Sequence, residues 1–286
     1  MIKTKNKVST ILRVFGSYLL LIVCSFIIIF PFYIIFITSL KSNMEAMTVP
    51  ITYWPQNGFH FDGYVKVLHL DILGISFLQS FGNTLLYVIP PTFIGLFVSS
   101  MCAYAYTMIN FPGKKLMFSA LLFSMMIPGT VTMIPSFLIF ETLGWVNTPL
   151  PLMIPGMFGG VANVFFMQQY FKGLPKELVE AARIDGLRHF SIFTNIIIPL
   201  SKPALISLAL LGFIGGYNDY FGPMLYLHDA DKYTLQIALQ FTNSAMTYDN
   251  QTIMAGCIIT MLPMLVIYFF AQNFFVKGIA MSGLKA

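Results

Sequence analysis

The sequence is dominated by six apolar stretches, each long enough to form a helix that crosses a lipid bilayer. A bilayer core about 30 Å thick requires about 20 apolar residues of helix. Hydrophobic residues fill 57% of the 286 positions and charged residues only 9%, whereas about a quarter of the residues in a soluble domain are charged. The chain is therefore expected to be an integral membrane protein with an all-α fold. The predicted spans cover residues 18–40, 77–109, 116–140, 149–171, 203–227 and 253–276.

The distribution of charge between these spans predicts the orientation of the chain. Successive segments between the spans lie on alternate sides of the membrane. All but three of the 16 Lys and Arg residues fall in the segments of one side, and the three on the other side are Lys41, Lys66 and Lys232. Because cytoplasmic segments carry an excess of Lys and Arg, we expect both termini in the cytoplasm. The whole chain, 1–286, is predicted to be one transmembrane domain, with 172–202 as a cytoplasmic loop and 41–76 and 222–251 as extracytoplasmic loops.

Segment 172–202 differs from the rest of the sequence because charged residues are concentrated in it. Pro175 is favoured in the first turn of a helix, and Glu177 is favoured near the partially positive N-terminus of a helix. Gly186 is typical of the position at which a helix ends. These residues predict a helix of about ten residues, followed by an apolar piece over 190–198 that ends at Pro199. Composition alone favours a loop that merely joins two spans.

The spacing of residues in this segment favours a more specific interpretation. Glu180-Ala181-Ala182, then Gly186 after three residues, then Ile198-Pro199 resembles the E-A-A-x-x-x-G loop of permeases of ABC importers, and the flanking residues resemble its maltose-type carbohydrate branch. Residues 217–225 are similar to a W-N-x-F-x-x-P-L segment of that family, with Tyr217 in place of Trp. Asn83-Thr84-Leu85 resembles the start of the permease core, and 275–286 resembles its C-terminus.

This resemblance implies a six-helix type I importer permease in the bacterial cell membrane. In such importers the loop is a coupling helix that docks in a cytoplasmic ABC ATPase dimer, and the tail, here 282–286, reaches between the ATPases. The other implied partners are a second homologous permease subunit, an extracytoplasmic solute-binding protein and a sugar or oligosaccharide. The residues that the motif assigns to coupling are Glu180, Ala181, Ala182, Arg183, Asp185, Gly186 and Arg188.

The sequence contains none of the motifs by which the chain could hydrolyse ATP itself. There is no G-x-x-x-x-G-K-[ST] phosphate loop, and no nucleophile triad or paired-carboxylate signature stands out. The chain is thus expected to be non-catalytic and to bind no cofactor, with ATP and Mg²⁺ on the partner ATPase. Its Cys and His residues have no metal-type spacing, and no basic cluster interleaved with aromatic residues indicates nucleic-acid binding.

Polar side chains within or near the spans are candidates for a sugar path, because burying them in lipid is costly. The alternative is a structural role in hydrogen bonds between helices or at the membrane edge. Three other functions remain open: an ABC permease for a non-sugar solute, a stand-alone secondary transporter or channel, and a scaffold without transport. A secondary transporter is expected to contain inverted repeats and ionisable residues at mid-membrane, and we find neither feature in the sequence. The path candidates are Asn83, Asn163, Tyr217, Asn218, Asp219 and Tyr220.

Overall fold

The computed structural model describes residues 7–69, 71–72, 74–245 and 249–283. Most of this part of the chain is helical, with one short antiparallel pair, β1 Asp71–Ile72 and β2 Ile75–Ser76, in which Asp71 lies opposite Ser76. A π-helix covers Phe193–Ile197 and a 3₁₀-helix covers Ala230–Lys232. The α-helices are α1 Lys7–Ser39, α2 Asn43–Ala46, α3 Asp62–His69, α4 Phe77–Met108, α5 Lys114–Ser124, α6 Gly129–Thr142, α7 Leu150–Met157, α8 Val161–Lys172, α9 Glu177–Ile184, α10 His189–Ile192, α11 Ile198–Leu200, α12 Lys202–Tyr217, α13 Phe221–Tyr226, α14 Leu235–Ala245 and α15 Asn250–Gly283.

Four helical segments are long and apolar enough to cross a membrane. They are Arg13–Ser39, Phe77–Met108, Leu150–Lys172 and Asn250–Phe270, and two bent helix pairs raise the number to six if each pair is one span. This matches the predicted all-α, multi-pass fold. Large apolar side chains along α1, among them Leu20, Ile22 and Phe26, are exposed in the isolated chain, as expected for a surface that faces lipid or another membrane subunit.

The third predicted span is bent in the structure, although the sequence predicts a continuous helix there: helices α5 and α6 meet at 96°. A second bend, of 79° between His189–Leu200 and α12, lies just before the fifth predicted span, where the sequence predicts that one helical piece ends at Pro199 and the next begins. Pro128 directly precedes α6, and a proline disfavours helical geometry at the preceding residue and supplies no N–H. Helix α12 ends at Tyr217, so residues 218–220 separate it from α13.

The described residues form two compact units. One contains the residues up to His69 with those between Phe241 and Leu262, and the other contains Asp71 to Gln240 with those from Pro263 onward. In the first unit, Lys66 of α3 forms a 2.8 Å ion pair with the buried Asp249, which also accepts the N–H of Thr252 at the start of α15. The expectation of a single transmembrane domain remains a prediction.

Helix α4 is the central element of the second unit and packs against α7, α8 and α12. Close approach depends on glycine at these contacts. A Cβ at Gly216 of α12 would lie 2.9 Å from Val88 Cγ1 of α4, and a Cβ at Gly95 of α4 would collide with the carbonyl oxygen of Gly156. Small residues allow helix backbones in membranes to approach closely, so α4 joins α7, α8 and α12 into one packed group.

Candidate coupling site

The segment that the E-A-A-x-x-x-G motif identifies forms helix α9. The helix has eight residues, slightly fewer than the ten expected, and Glu177 and Glu180 lie in its first turn, where negative charge is favourable. Gly186 has a φ of 83°, and the N–H groups of Gly186 and Leu187 bond to the carbonyls of Arg183 and Ala182 at 3.0 Å. This pair of bonds is a Schellman motif, which requires a left-handed residue that glycine adopts without strain.

One face of α9 is buried within the second unit. Val179 is buried and Ala182 is only 4% exposed. They belong to one apolar cluster with residues of α4 and α8 and of the segment that follows α9. Because packed interiors are dense and transmit displacement, α9 is expected to move together with the ends of α4 and α8. The other buried members of the cluster are Ala103, Tyr104, Val164, Met167, Phe171, Ile192, Phe193 and Ile197.

A short hydrogen-bonded chain also connects α9 to α4. Arg183 Nη2 lies 2.7 Å from His189 Nε2, and His189 Nδ1 lies 3.2 Å from the hydroxyl of Tyr104, a residue that is 3% exposed. Arginine has only donors, so Nε2 accepts and the proton is assigned to Nδ1, which donates to the Tyr104 oxygen. Sequence reasoning missed both His189 and Tyr104, because no motif pairs them.

The opposite face of α9 is open. Ile184 is 87% exposed, and Leu178 and Ala181 are exposed beside it. We call the row formed by Leu178, Ala181 and Ile184 the outer ridge; the exposed carboxylates of Glu177, Glu180 and Asp185 border it. Ile184 lies about 140° around the helix from Val179. That helical spacing could have identified Ile184 as outward-facing from the sequence.

The structure separates the coupling residues of the motif into two groups. Glu180, Ala181 and Asp185 lie on the exposed side, whereas Ala182 packs inside the chain and Arg183 bonds to His189. Gly186 shapes the end of the helix, and Arg188 is exposed just before α10. Their assigned roles in coupling remain predictions. Residues 284–286 of the predicted tail contact lie outside the described residues.

The π-helix follows from Pro199 at the end of the same segment. The N–H of Ile198 bonds to the carbonyl of Phe193, five residues earlier. Proline has no N–H, and its ring clashes with the carbonyl four residues before it, here that of Asn195. Widening the turn removes that clash, and π-helical turns are frequent at functional sites. The ring of Phe193 lies 5.4 Å from that of Tyr104.

Among the described residues, the path candidates do not line one cavity together, and Asn83 and Asn218 are held to backbone carbonyls. Asn83 donates to the carbonyls of Asp231 and Tyr233 at 2.8 and 3.1 Å, and Asn218 donates to the carbonyl of Ile214. Tyr217 is buried and stacks on Phe213. The remaining two are Asn163, half-buried in the first turn of α8, and Tyr220, half-buried just before α13.

Asp219 is the path candidate that lines a cavity of the second unit. The cavity has a volume of about 230 Å³ and lies between α4, α7, α12 and α13. Its other polar groups come from Tyr87, Thr92 and Thr234. Asp219 is exposed and accepts the N–H of Gly222 at 3.1 Å, so one carboxylate oxygen is engaged at the start of α13. A carboxylate and hydroxyls are groups that can bond to sugar hydroxyls.

The loop after α13 is held by a network centred on Asn147. Its side chain donates to Asp229 at 2.7 Å and accepts the N–H groups of His228 and Asp229, and Lys232 also donates to Asp229 at 2.7 Å. The hydrogen bonds from Lys232 and Asn147 hold the pKa of Asp229 below its ordinary value. This part of the predicted extracytoplasmic loop is therefore ordered by charged and polar contacts.

Comparisons with known proteins identify the family of the chain. A family model of binding-protein-dependent transport system inner membrane components matches residues 95–281. The chain belongs to this family. The matched region includes α9, the α4 residues of its apolar cluster, and the cavity-lining Asp219.

Individual relatives support this membership over nearly the whole permease. The arabinooligosaccharides transport system permease protein AraQ of Halalkalibacterium halodurans is 32% identical over 267 residues, which are 91% of this chain and 92% of that protein. The sn-glycerol-3-phosphate transport system permease protein UgpE of Pectobacterium atrosepticum is 32% identical over 273 residues, 93% of this chain and 95% of that protein.

A solved structure confirms the fold of the permease. The chain matches one from the crystal structure of a bacterial ABC transporter involved in the import of the acidic polysaccharide alginate, with a TM-score of 0.79 and 26% identity, covering 92% of this chain and 97% of that one. The expected ABC importer permease with a multi-pass helical fold is confirmed by these matches.

Proposed function

We propose that this permease carries a sugar or oligosaccharide into the bacterial cell by alternating access, and that α9 transmits the movement of a separate cytoplasmic ABC ATPase dimer. The single observation that supports coupling through α9 is that one face of this helix is buried and the opposite face is exposed. Its inner face is packed with α4 and α8, whereas its outer ridge ends in Ile184, which is 87% exposed. An exposed apolar row beside carboxylates is suited to a cleft on another protein.

The connection to α4 supports movement as a unit. The Ala182 packing and the Arg183–His189–Tyr104 chain both tie α9 to α4, the helix that also contacts α7, α8 and α12. A partner that holds the outer ridge would therefore displace several membrane helices together rather than bend a loop. Rigid-body movement of this kind is one of the common forms of coupled structural change.

The sugar cargo is supported by the relative named for arabinooligosaccharide transport and by the solved importer of a polysaccharide. The relative named for sn-glycerol-3-phosphate transport favours a second candidate, a small phosphorylated polyol. We place a second permease subunit and an extracytoplasmic solute-binding protein in the complex, as this family of binding-protein-dependent systems implies. The Asp219 cavity is our candidate for a contact with sugar hydroxyls.

Site-directed cross-linking tests the docking of α9. In a background without Cys24, Cys102 and Cys257, Ile184→Cys is expected to cross-link to the ATPase subunit encoded with this permease. Val49→Cys is a matched control, because Val49 is equally exposed but lies in the predicted extracytoplasmic loop. Equal capture at both positions, or none at Ile184, contradicts the docking.

Uptake by proteoliposomes that contain the complete complex tests the cargo. ATP-dependent uptake of a labelled oligosaccharide delivered by its binding protein supports the proposal. Uptake of sn-glycerol-3-phosphate with exclusion of sugars favours the second candidate. Uptake by the permease alone, driven by an ion gradient, contradicts both.

A further inference from the structure

A second cavity of the structure is separate from the outer ridge of α9 and from the Asp219 cavity. It has a volume of about 560 Å³ and lies where the end of α4, the start of α5, the end of α8 and the segment leading to α9 meet. Four lysines line it: Lys114, Lys115, Lys172 and Lys176. In the predicted orientation it lies on the cytoplasmic side of the membrane. We call it the lysine cavity.

The positive charge of the lysine cavity is not neutralised by the described part of the chain. None of its described lining residues is acidic, and none of the four lysines is within 4.0 Å of a carboxylate oxygen there. Lys114 donates to the carbonyl of Ile109 at 2.8 Å, and the Lys172 nitrogen lies 6.0 Å from the centre of the Phe118 ring. Like charges brought together repel, so an anion in the cavity would relieve an unfavourable arrangement.

A buried amide adds a neutral donor to the same cavity. Gln168 lines it and is only 4% exposed. Its side-chain oxygen accepts a 3.5 Å hydrogen bond from Gln169, whereas its side-chain nitrogen donates none to any described residue. That nitrogen is not among the fully buried side-chain atoms that lack a partner, so it can donate to an anion in the cavity. Helix α5 also begins at this cavity with Lys114, and its N-cap residue Gly113 supplies no side-chain cap; free N–H groups at a helix start favour anions.

The surroundings of the lysine cavity favour a lipid as the source of the anion. Lys114 and Lys115 are followed directly by Leu116 and Met117, both exposed, with Leu116 at 76%. Lysines at the end of a membrane helix beside exposed apolar side chains match the order of headgroup and acyl chain in a bilayer. Basic cavities between membrane helices on the cytoplasmic side are suited to anionic lipid headgroups.

We propose that the lysine cavity binds the phosphate of an anionic phospholipid headgroup, such as that of phosphatidylglycerol or cardiolipin. The phosphate oxygens accept from the lysine ammonium groups and from the Gln168 amide, and the acyl chains lie along Leu116 and Met117. Because Lys172 ends α8 and Lys176 directly precedes α9, a bound headgroup also holds the start of the coupling segment against α5. The proposal uses the predicted orientation but does not depend on the cargo.

Lipid binding to the full-length permease tests this directly, without transport or ATP hydrolysis. The delipidated protein is titrated with phosphatidylglycerol, cardiolipin or phosphatidylcholine and bound lipids are counted by native mass spectrometry. We expect the two anionic lipids to bind and phosphatidylcholine not to. Lys115→Gln and Lys172→Gln are each expected to weaken binding by about fivefold, since one lysine near a membrane surface contributes about that factor.

Lys202→Gln is the matched control, because Lys202 is an exposed lysine of the same predicted cytoplasmic segment that does not line the cavity. Equal losses in the control and the cavity variants overturn the proposal, as does equal binding of phosphatidylcholine. Inorganic phosphate at millimolar concentration distinguishes the two sources of phosphate. Complete displacement of the lipid by phosphate identifies a free-phosphate site and overturns the lipid assignment. Protection of the four lysines from chemical labelling only when the ATPase is bound would also overturn it, because the cavity would then be covered by that partner.

Discussion

Arg183 on the coupling helix donates a 2.7 Å hydrogen bond to Nε2 of His189. The other ring nitrogen of His189 reaches Tyr104 of α4, so one imidazole joins the exposed helix to the buried end of a membrane span. This arrangement places a specific polar contact beside the apolar packing of Ala182. It identifies His189 as a positioning residue between the two elements.

Replacing His189 with phenylalanine is expected to lower both stability and coupling. Phenylalanine keeps an aromatic ring but removes both hydrogen bonds, and the buried Tyr104 hydroxyl loses its partner at a cost of about 1–3 kcal/mol. We expect a lower melting temperature of the purified permease and less solute transported per ATP hydrolysed by the complex.

A double-mutant cycle checks the His189 prediction. Tyr104→Phe removes the same contact, so the losses of stability in the single and double variants should be non-additive. His228→Phe, at an exposed histidine for which the structure records no side-chain hydrogen bond, should leave the melting temperature unchanged. Additive losses would contradict the contact.

Ala181 and Ala182 provide a matched pair on α9. Ala182→Leu inserts three carbon atoms into a packed cluster, and such overpacking costs about 1–3 kcal/mol. Ala181→Leu enlarges an exposed residue, so the free energy of unfolding should change little while co-purification with the ATPase falls. Thermal unfolding and co-purification distinguish the two effects, and the reverse pattern would show that the faces of α9 are wrongly assigned.

Gly186 is expected to tolerate no side chain without a loss of stability. A Cβ there would meet nothing within 4 Å, so the effect of Gly186→Ala comes from its φ of 83° alone. We expect a loss of about 1 kcal/mol and weaker uptake, with a larger loss for Gly186→Pro. Gly215→Ala is the control, because Gly215 lies inside α12 with equally open space and alanine favours the helix.

The pH dependence of the first unit is expected to follow Asp249. Burial by itself would raise the pKa of Asp249, but the hydrogen bonds from Lys66 and Thr252 outweigh it and lower the pKa. A lowered carboxyl pKa stabilises the folded state above the unfolded value of about 3.9, and this contribution is lost as the pH falls through the folded value. Asp249→Asn should therefore lower the melting temperature at pH 7, and the difference should shrink below about pH 4. A difference that is constant with pH would contradict this role of the ion pair.

The positions of the membrane helices could be predicted because hydropathy summed over about 20 residues is a local property of the chain. The bend between α5 and α6 was not predicted, although Pro128 lies at the break. Membrane helices often tolerate proline, so a proline does not reveal by itself whether a span bends or breaks. The sequence predicts Pro175 in the first turn of α9, whereas the helix begins two residues later at Glu177. Its end just before Gly186 was predicted correctly, since a glycine stop depends on local backbone preferences.

The sequence by itself determined an all-α membrane protein, the location of the coupling segment and the family to which the chain is similar. Only the tertiary structure decided which alanine of the motif faces inward, that Arg183 contacts Tyr104 through His189, and that Lys114, Lys115, Lys172 and Lys176 line one cavity. The physical reason is that these contacts join residues of separate helices. Their distances depend on how α4, α5, α8 and α9 pack against one another, and a local pattern carries no information about that packing.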